Sequence, residues 1–165
     1  MIRRSAIFFN KVINTTNCFL LKDGKVLLGL KKRGFGMGKW NGFGGKLKEG
    51  EDIKIAALRE INEEAGVDVT LVDLKEAGTL EFCFQNNSDW DNLCHVFIIA
   101  KWLGEPSESE EMRPQWYAID NLPFGEMWID DPHWVPLVLA EKKITGRFLF
   151  SGDGSSIIDF SVVEI

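Results

Sequence analysis

Apolar and polar positions along the chain alternate in runs that mark strands, and change in two places to a helical spacing. Residues 12–21 read as a strand whose apolar character is interrupted from Asn14 to Asn17. Lys22-Asp23-Gly24-Lys25 follows as a tight turn, because Asp-Gly suits the positive φ of a hairpin, and 26–31 is the returning strand. Positions 34–45 form a glycine-rich loop that carries Trp40 and Phe43. From 53 to 65 the period lengthens: Ile53, Ala57 and Ile61 share one helical face, with Leu58 and Ala65 beside it. Asp52 stands at the N-cap of that helix and Gly66 at its stop. Strands are expected at 78–85 and 95–103, separated by a polar loop, with a short one at 115–119. A second helix is expected at 134–143, with Pro136 in its first turn. A hairpin at 147–151 and 157–164 closes the chain around Gly152-Asp153-Gly154. This order predicts an α+β domain, a mixed sheet with two helices packed on it.

The chain has 165 residues, enough for one domain, which the pattern places at 12–165. Residues 1–11 read as an N-terminal extension that nothing in the pattern ties down. That segment lacks acids and contains Arg3 and Arg4, as a presequence would, but the cytoplasm is the expected compartment. No apolar run is long enough to span a bilayer, so no membrane partner is expected. Cys18, Cys83 and Cys94 form no Cys-x-x-Cys pair and read as structural thiols in a reducing compartment. A net charge of -6 repels a nucleic-acid polymer. A small anion remains a fitting ligand if metal ions and a few local cations neutralise it. Six tryptophans and twelve phenylalanines against one tyrosine supply more rings than a polar surface needs, and some can line a slot for a flat ligand.

The chemistry concentrates in the first helix. Glu60, Glu63 and Glu64 stand at i, i+3 and i+4 and so project from one face. Three carboxylates side by side repel one another unless a hard divalent cation offsets the charge. Arg59 can pair with a nearby carboxylate such as Glu51 and hold the array. An acidic run alone more often means a solvated face. The full spacing is more specific. From Gly45 to Val67 the chain reads G-x5-E-x7-R-E-U-x-E-E-x-G-U, with U aliphatic, and Gly45, Glu51, Arg59, Glu60, Ile61, Glu63, Glu64, Gly66 and Val67 fill every specified position.

This segment resembles the signature of the Nudix (MutT-like) hydrolases. The resemblance implies the Nudix fold, a mixed sheet sandwiched between two main α-helices. Lys31 to Gly36, Gly38 to Lys46, Glu110 to Pro114 and the stretch from Pro123 through Trp128, Asp130, Asp131 and Trp134 further resemble the animal-type branch that acts on oxidised purine nucleoside triphosphates. What this implies is Mg²⁺-dependent hydrolysis of substrates such as 8-oxo-dGTP and 2-hydroxy-dATP to the monophosphate and pyrophosphate, with Mn²⁺ as a possible substitute, by a monomer. It also implies a division of labour. The Gly44 carbonyl with Glu60, Glu63, Glu64 and Glu111 would hold the metal. Glu111 or Glu64 would activate the water. Phe43, Gly44, Gly45 and Lys46 would touch phosphates and sugar. Asn41 would bond the base, Asp130 and Asp131 would read its edge, and Trp128, Phe35 and Phe82 would stack on or flank it. Lys31 and Thr16 would also face substrate.

Each position has a plainer reading. Trp128 and Phe35 can be core, Asn41 a turn residue, Lys31 a solvated strand end, and Asp130-Asp131-Pro132 a cap for the second helix. Asn92 or Leu93 stands where the resemblance leads one to expect a methionine, Ile129 where proline is usual, and the segment 68–76 is slightly long. These departures leave room for another nucleotide or diphosphate as substrate, or for a non-catalytic nucleotide-binding module. Other chemistries fit worse. Neither Gly38-Lys39 nor Gly45-Lys46 is followed by Ser or Thr, so no P-loop is present. His95 and His133 have no evident nucleophile beside them in sequence.

Overall fold

The computed structural model describes residues 12–165, and the N-terminal extension lies outside the described residues. The first helix, α1 (Ile53–Ala65), has the expected bounds. Asp52 accepts the N–H groups of Lys54 and Ile55, and Gly66 ends the helix in the left-handed region with φ 72°, donating to Asn62 O.

The strands are β1 (Ile13–Lys22), β2 (Lys25–Lys31), β3 (Trp40–Asn41), β4 (Lys75–Phe84), β5 (Asn92–Ile99), β6 (Met112–Ala118), β7 (Ile144–Phe150) and β8 (Ile157–Glu164). They form one mixed sheet in the order β3-β2-β1-β5-β4-β7-β8, with β6 paired to β2. The β1·β5 and β4·β7 pairs are parallel and the others antiparallel. One face packs on α1, burying Cys18, Leu20 and Phe97 against Ala57 and Ile61. The other packs on α2 (Asp131–Leu139), burying Phe19, Val96 and Phe148 among Trp134 and Val135. The α+β sandwich read from the sequence is the fold observed.

Several boundaries differ, each for a tertiary reason. The helix expected at 134–143 occupies Asp131–Leu139. Pro132 suits its first turn, and Glu141, at φ 60°, has left the right-handed region. The strand expected at 95–103 starts at Asn92, because Ile13 of β1 and Phe82 of β4 pair with Asn92 and its polar side chain faces a cavity rather than solvent. Its partner, expected at 78–85, begins at Lys75, carried past a register shift between Glu76 and Gly78. Strand β6, expected at 115–119, begins at Met112 because all of β2 pairs with it, and β7, expected at 147–151, begins at Ile144 alongside Gly78.

The sequence pattern gave no sign of β3. β1 and β2 pair only at the hairpin end, over Leu20–Lys22 and Lys25–Leu27, and then part. Residues 40–46 fill the opening. Trp40 and Asn41 pair with Leu30 and Gly29 of β2, and the chain then crosses to β1, where Phe43 exchanges backbone bonds with Cys18 and Gly45 accepts from Thr16 N–H at 2.9 Å. The wedge so made sits between the α1 face and the α2 face and holds the glycine loop in one place.

Candidate active site

Two chemical environments meet at this wedge. The first is acidic and lies on α1. Arg59 is its hub: Nε and Nη2 grip both oxygens of Glu51 at 2.7 and 2.9 Å, and Nη1 reaches Glu60 at 2.9 Å and Glu63 at 3.2 Å. The guanidinium and the Lys48 N–H hold the Glu51 carboxyl down to about 2. Glu64, only 4% exposed, accepts the Gly44 N–H at 2.8 Å. Burial pushes its carboxyl up to about 8, aided by the charges of Glu60 and Glu111 and opposed by the Gly44 N–H and Lys31. Glu60 lies against Gly45, where an added Cβ would come within 2.8 Å of its Oε1.

The three acids of the helix are not equivalent. Glu60 and Glu64 face the glycine loop, whereas Glu63, with 53% of its side chain exposed, turns to Arg59. Glu111 is held in ion pairs with Arg33 at 2.6 Å and Lys31 at 3.6 Å. Among the described residues no three acidic, histidine or cysteine side chains converge as a ready cation cluster. The donor chemistry nevertheless suits a hard divalent cation: Glu64 is a buried carboxyl whose ionisation is opposed by neighbouring acids, and a cation would relieve that.

The second environment is a cavity of about 550 Å³ on the opposite side of the wedge. Thr16, Lys31, Asn41, Gly44, Gly45 and Lys46 line the part nearest the acids. Phe82, Trp128, Asp130 and Asp131 line the far part, and Phe35 closes it by stacking on Trp128 at 5.2 Å. Lys39 Nζ lies 5.1 Å over the Trp128 ring. Phe43 does not reach the cavity: its ring is fully buried under α1, and both its backbone groups bond Cys18. The residue expected to touch phosphates and sugar therefore stands outside the cavity lining, and its ring anchors the loop.

Asp130 and Asp131 are 4% and 2% exposed. Neither side chain caps α2 in the usual way. Asp130 Oδ2 accepts Trp134 Nε1–H at 2.8 Å, and Asp131 Oδ2 accepts the Trp128 N–H at 3.1 Å. Burial raises both carboxyls, and the charge of Asp130 raises Asp131 further. Sequence reasoning missed Thr15, Asn17, Lys39 and Trp90, which also line the cavity. The polar break at Asn14 to Asn17 in an otherwise apolar strand was the available signal.

Gly42 and Gly44 of the loop are steric necessities. A Cβ on Gly44 would lie 1.9 Å from the Thr16 carbonyl oxygen. Gly44→Ala is expected to cost about 1–3 kcal/mol, read as a lower urea midpoint with an unchanged m-value; an unchanged midpoint would contradict the close approach.

The NUDIX domain family model matches residues 12–138. The chain belongs to the NUDIX domain family. Relatives at greater similarity include the oxidized purine nucleoside triphosphate hydrolase of Danio rerio, 47% identical over 88% of this chain and 90% of that one. The enzyme of the same name from Mus musculus is 45% identical over 91% of this chain and 94% of its own. Among solved structures, the MutT protein of Bacillus halodurans superposes with a TM-score of 0.79 at 24% identity, covering 92% of this chain and 97% of that one, which supports the fold. The NUDIX match includes Gly45–Val67, the segment that places Glu60 and Glu64 beside the glycine loop.

Proposed function

We propose that the protein hydrolyses oxidised purine nucleoside triphosphates, of the 8-oxo-dGTP and 2-hydroxy-dATP type, to the monophosphate and pyrophosphate. The observation that carries this reading is the wedge itself. Glu60 and the buried Glu64 of α1, and an aromatic cavity with two buried aspartates, open onto the same stretch, Gly44 to Lys46. A nucleotide laid along it has its polyphosphate by Glu60 and Glu64 and its base in the cavity, flanked by Trp128, Phe35 and Phe82. The names of the two vertebrate relatives support the same substrate class.

Glu60, Glu64, Glu111 and the Gly44 carbonyl, with Glu63 at the rim, would hold Mg²⁺, for which Mn²⁺ can substitute. The bound cation would neutralise the polyphosphate and lower the pKa of a water. Arg59 keeps Glu51 and Glu60 in place, Lys31 and Lys46 supply positive charge near the phosphates, and Glu64 or Glu111 takes the proton of the attacking water. We read residues 12–165 as one catalytic domain acting as a cytoplasmic monomer on small molecules. The net charge of -6 argues against a nucleic-acid polymer. No helix among the described residues is long and apolar enough to cross a membrane.

At the base, burial raises both Asp130 and Asp131 and the charge of Asp130 raises Asp131 further, which favours one proton shared by the pair. The protonated acid donates and the ionised one accepts, which lets one pair serve oxidised guanine and oxidised adenine. Asp130→Asn should change the kcat/KM ratio of 8-oxo-dGTP to 2-hydroxy-dATP by about tenfold, the worth of one hydrogen bond of about 1.4 kcal/mol; an unchanged ratio removes this account. The function as a whole is tested by kcat/KM for 8-oxo-dGTP, 2-hydroxy-dATP, O6-methyl-dGTP and dGTP. The two oxidised nucleotides are expected to lead. A clear preference for dGTP or O6-methyl-dGTP would move the substrate class elsewhere.

A further inference from the structure

Asn17 lies on β1, 8% exposed, at the floor of the cavity. Its Nδ2 donates to Asn41 Oδ1 at 3.0 Å, and the same oxygen accepts the Gly42 N–H at 2.8 Å. Two donors on one oxygen fix the Asn41 amide. Turned over, its NH₂ would face the Gly42 N–H and the Asn17 NH₂ together, donor against donor. The Asn41 NH₂ therefore has no partner among the described residues and is left for the cavity that Asn41 lines.

Asn17 is locked in return. If its own amide turned over, its oxygen would meet the Asn41 oxygen. The cost of the lock is on view: Asn17 Oδ1 is buried without a hydrogen-bond partner. It rests against Gly42, where an added Cβ would lie 2.1 Å away. An apolar side chain at position 17 would carry no such penalty, so the orphaned acceptor marks a position that stability alone does not explain.

Resting on the purine reading above, we propose that Asn17 is a positioning residue that sets substrate preference: by holding Asn41 with its NH₂ towards the base, it favours purines with a carbonyl at position 6 over purines with a 6-amino group. A 6-carbonyl accepts from that NH₂, whereas a 6-amino group brings a second donor to it. Thr15 and Asn92 spend their polar atoms on one another and on the Trp90 carbonyl, at 3.0 and 3.1 Å. Asn41 is thus the amide on this floor with an NH₂ to offer.

The test compares kcat/KM for 8-oxo-dGTP and 2-hydroxy-dATP in the wild type, Asn17→Leu and Asn17→Asp, each checked by thermal melting. The wild type is expected to favour 8-oxo-dGTP. Asn17→Leu leaves only the Gly42 N–H to orient Asn41, and the ratio is expected to fall by about tenfold, since a site built to bond one polar group loses its discrimination when the fixed partner is freed. Asn17→Asp presents an acceptor, draws the Asn41 amide over, and should lower the ratio at least as far. A merely structural role would lower both rates together. An unchanged ratio in both variants, with the wild type active, overturns the proposal and leaves the purine reading intact. Absence of turnover on both triphosphates in the wild type overturns that reading and the proposal with it.

Discussion

Glu64→Gln is expected to lower kcat on a nucleoside triphosphate by about 10²–10⁴-fold, the range lost when a positioned general base or its equivalent is removed. The same change should make the metal-free protein more stable at pH 8. Both effects come from one fact: Glu64 is a carboxyl buried to 4% exposure, bonded to the Gly44 N–H and crowded by Glu60 and Glu111. Its ordinary value of 4.5 is raised to about 8 in the folded chain. Below pH 4.5 folded and unfolded chains both hold the proton. Between there and pH 8 the unfolded chain releases it and the folded chain keeps it, so the fold binds more protons and loses stability as pH rises through this window. Glutamine keeps an oxygen for the Gly44 N–H and carries no proton to lose. The melting temperature of the metal-free variant should exceed that of the wild type by several degrees at pH 8, at about 2–4 °C per kcal/mol for a chain of this size, and the gain should vanish below pH 4.5. Normal turnover in Glu64→Gln would remove the assignment. Equal melting temperatures at pH 8 would remove its electrostatic cause.

The second large effect concerns Arg59, which need not touch substrate. It holds Glu51 through two parallel bonds and Glu60 through a third. Arg59→Ala is expected to lower kcat/KM about 10–100-fold, as removal of a residue that orients metal ligands commonly does, and to raise the Mg²⁺ concentration needed for half-maximal rate. Arg59→Lys keeps the charge but cannot form the paired bonds to Glu51, so it should recover only part of the loss. Titrating Mg²⁺ against rate in both variants separates this from simple weakening of the fold. Unchanged metal dependence with reduced stability would make Arg59 a structural residue only.

The first helix could be read from the chain to the residue because local chemistry fixes both its ends: Asp52 caps one and Gly66 turns out of the other. Its acids were visible as a spacing, but their inequality was not. Helical geometry puts Glu63 beside Glu60 and Glu64, and only the packed structure turns Glu64 inward to Gly44 and leaves Glu63 with Arg59. The cavity was harder to read for the opposite reason. Thr15, Asn17 and Asn92 are polar residues on central strands, and polarity there mimics a loop unless a cavity is known to stand over it. Phe43 shows the opposite case: it stands among the loop residues in sequence, yet alternation along an extended segment sends its ring to the α1 face. The wedge of 40–46 depends on β1 and β2 parting after three residue pairs, a tertiary event that no window of sequence encodes.

The proposed catalysis requires acids of α1 to grip a divalent cation against a polyphosphate. The most direct measurement is the product pattern from 8-oxo-dGTP incubated with the protein in Mg²⁺ and, separately, in excess chelator. Monophosphate and pyrophosphate formed only with Mg²⁺ is the expected result. Inorganic phosphate and diphosphate as products, or turnover undiminished by the chelator, would contradict it.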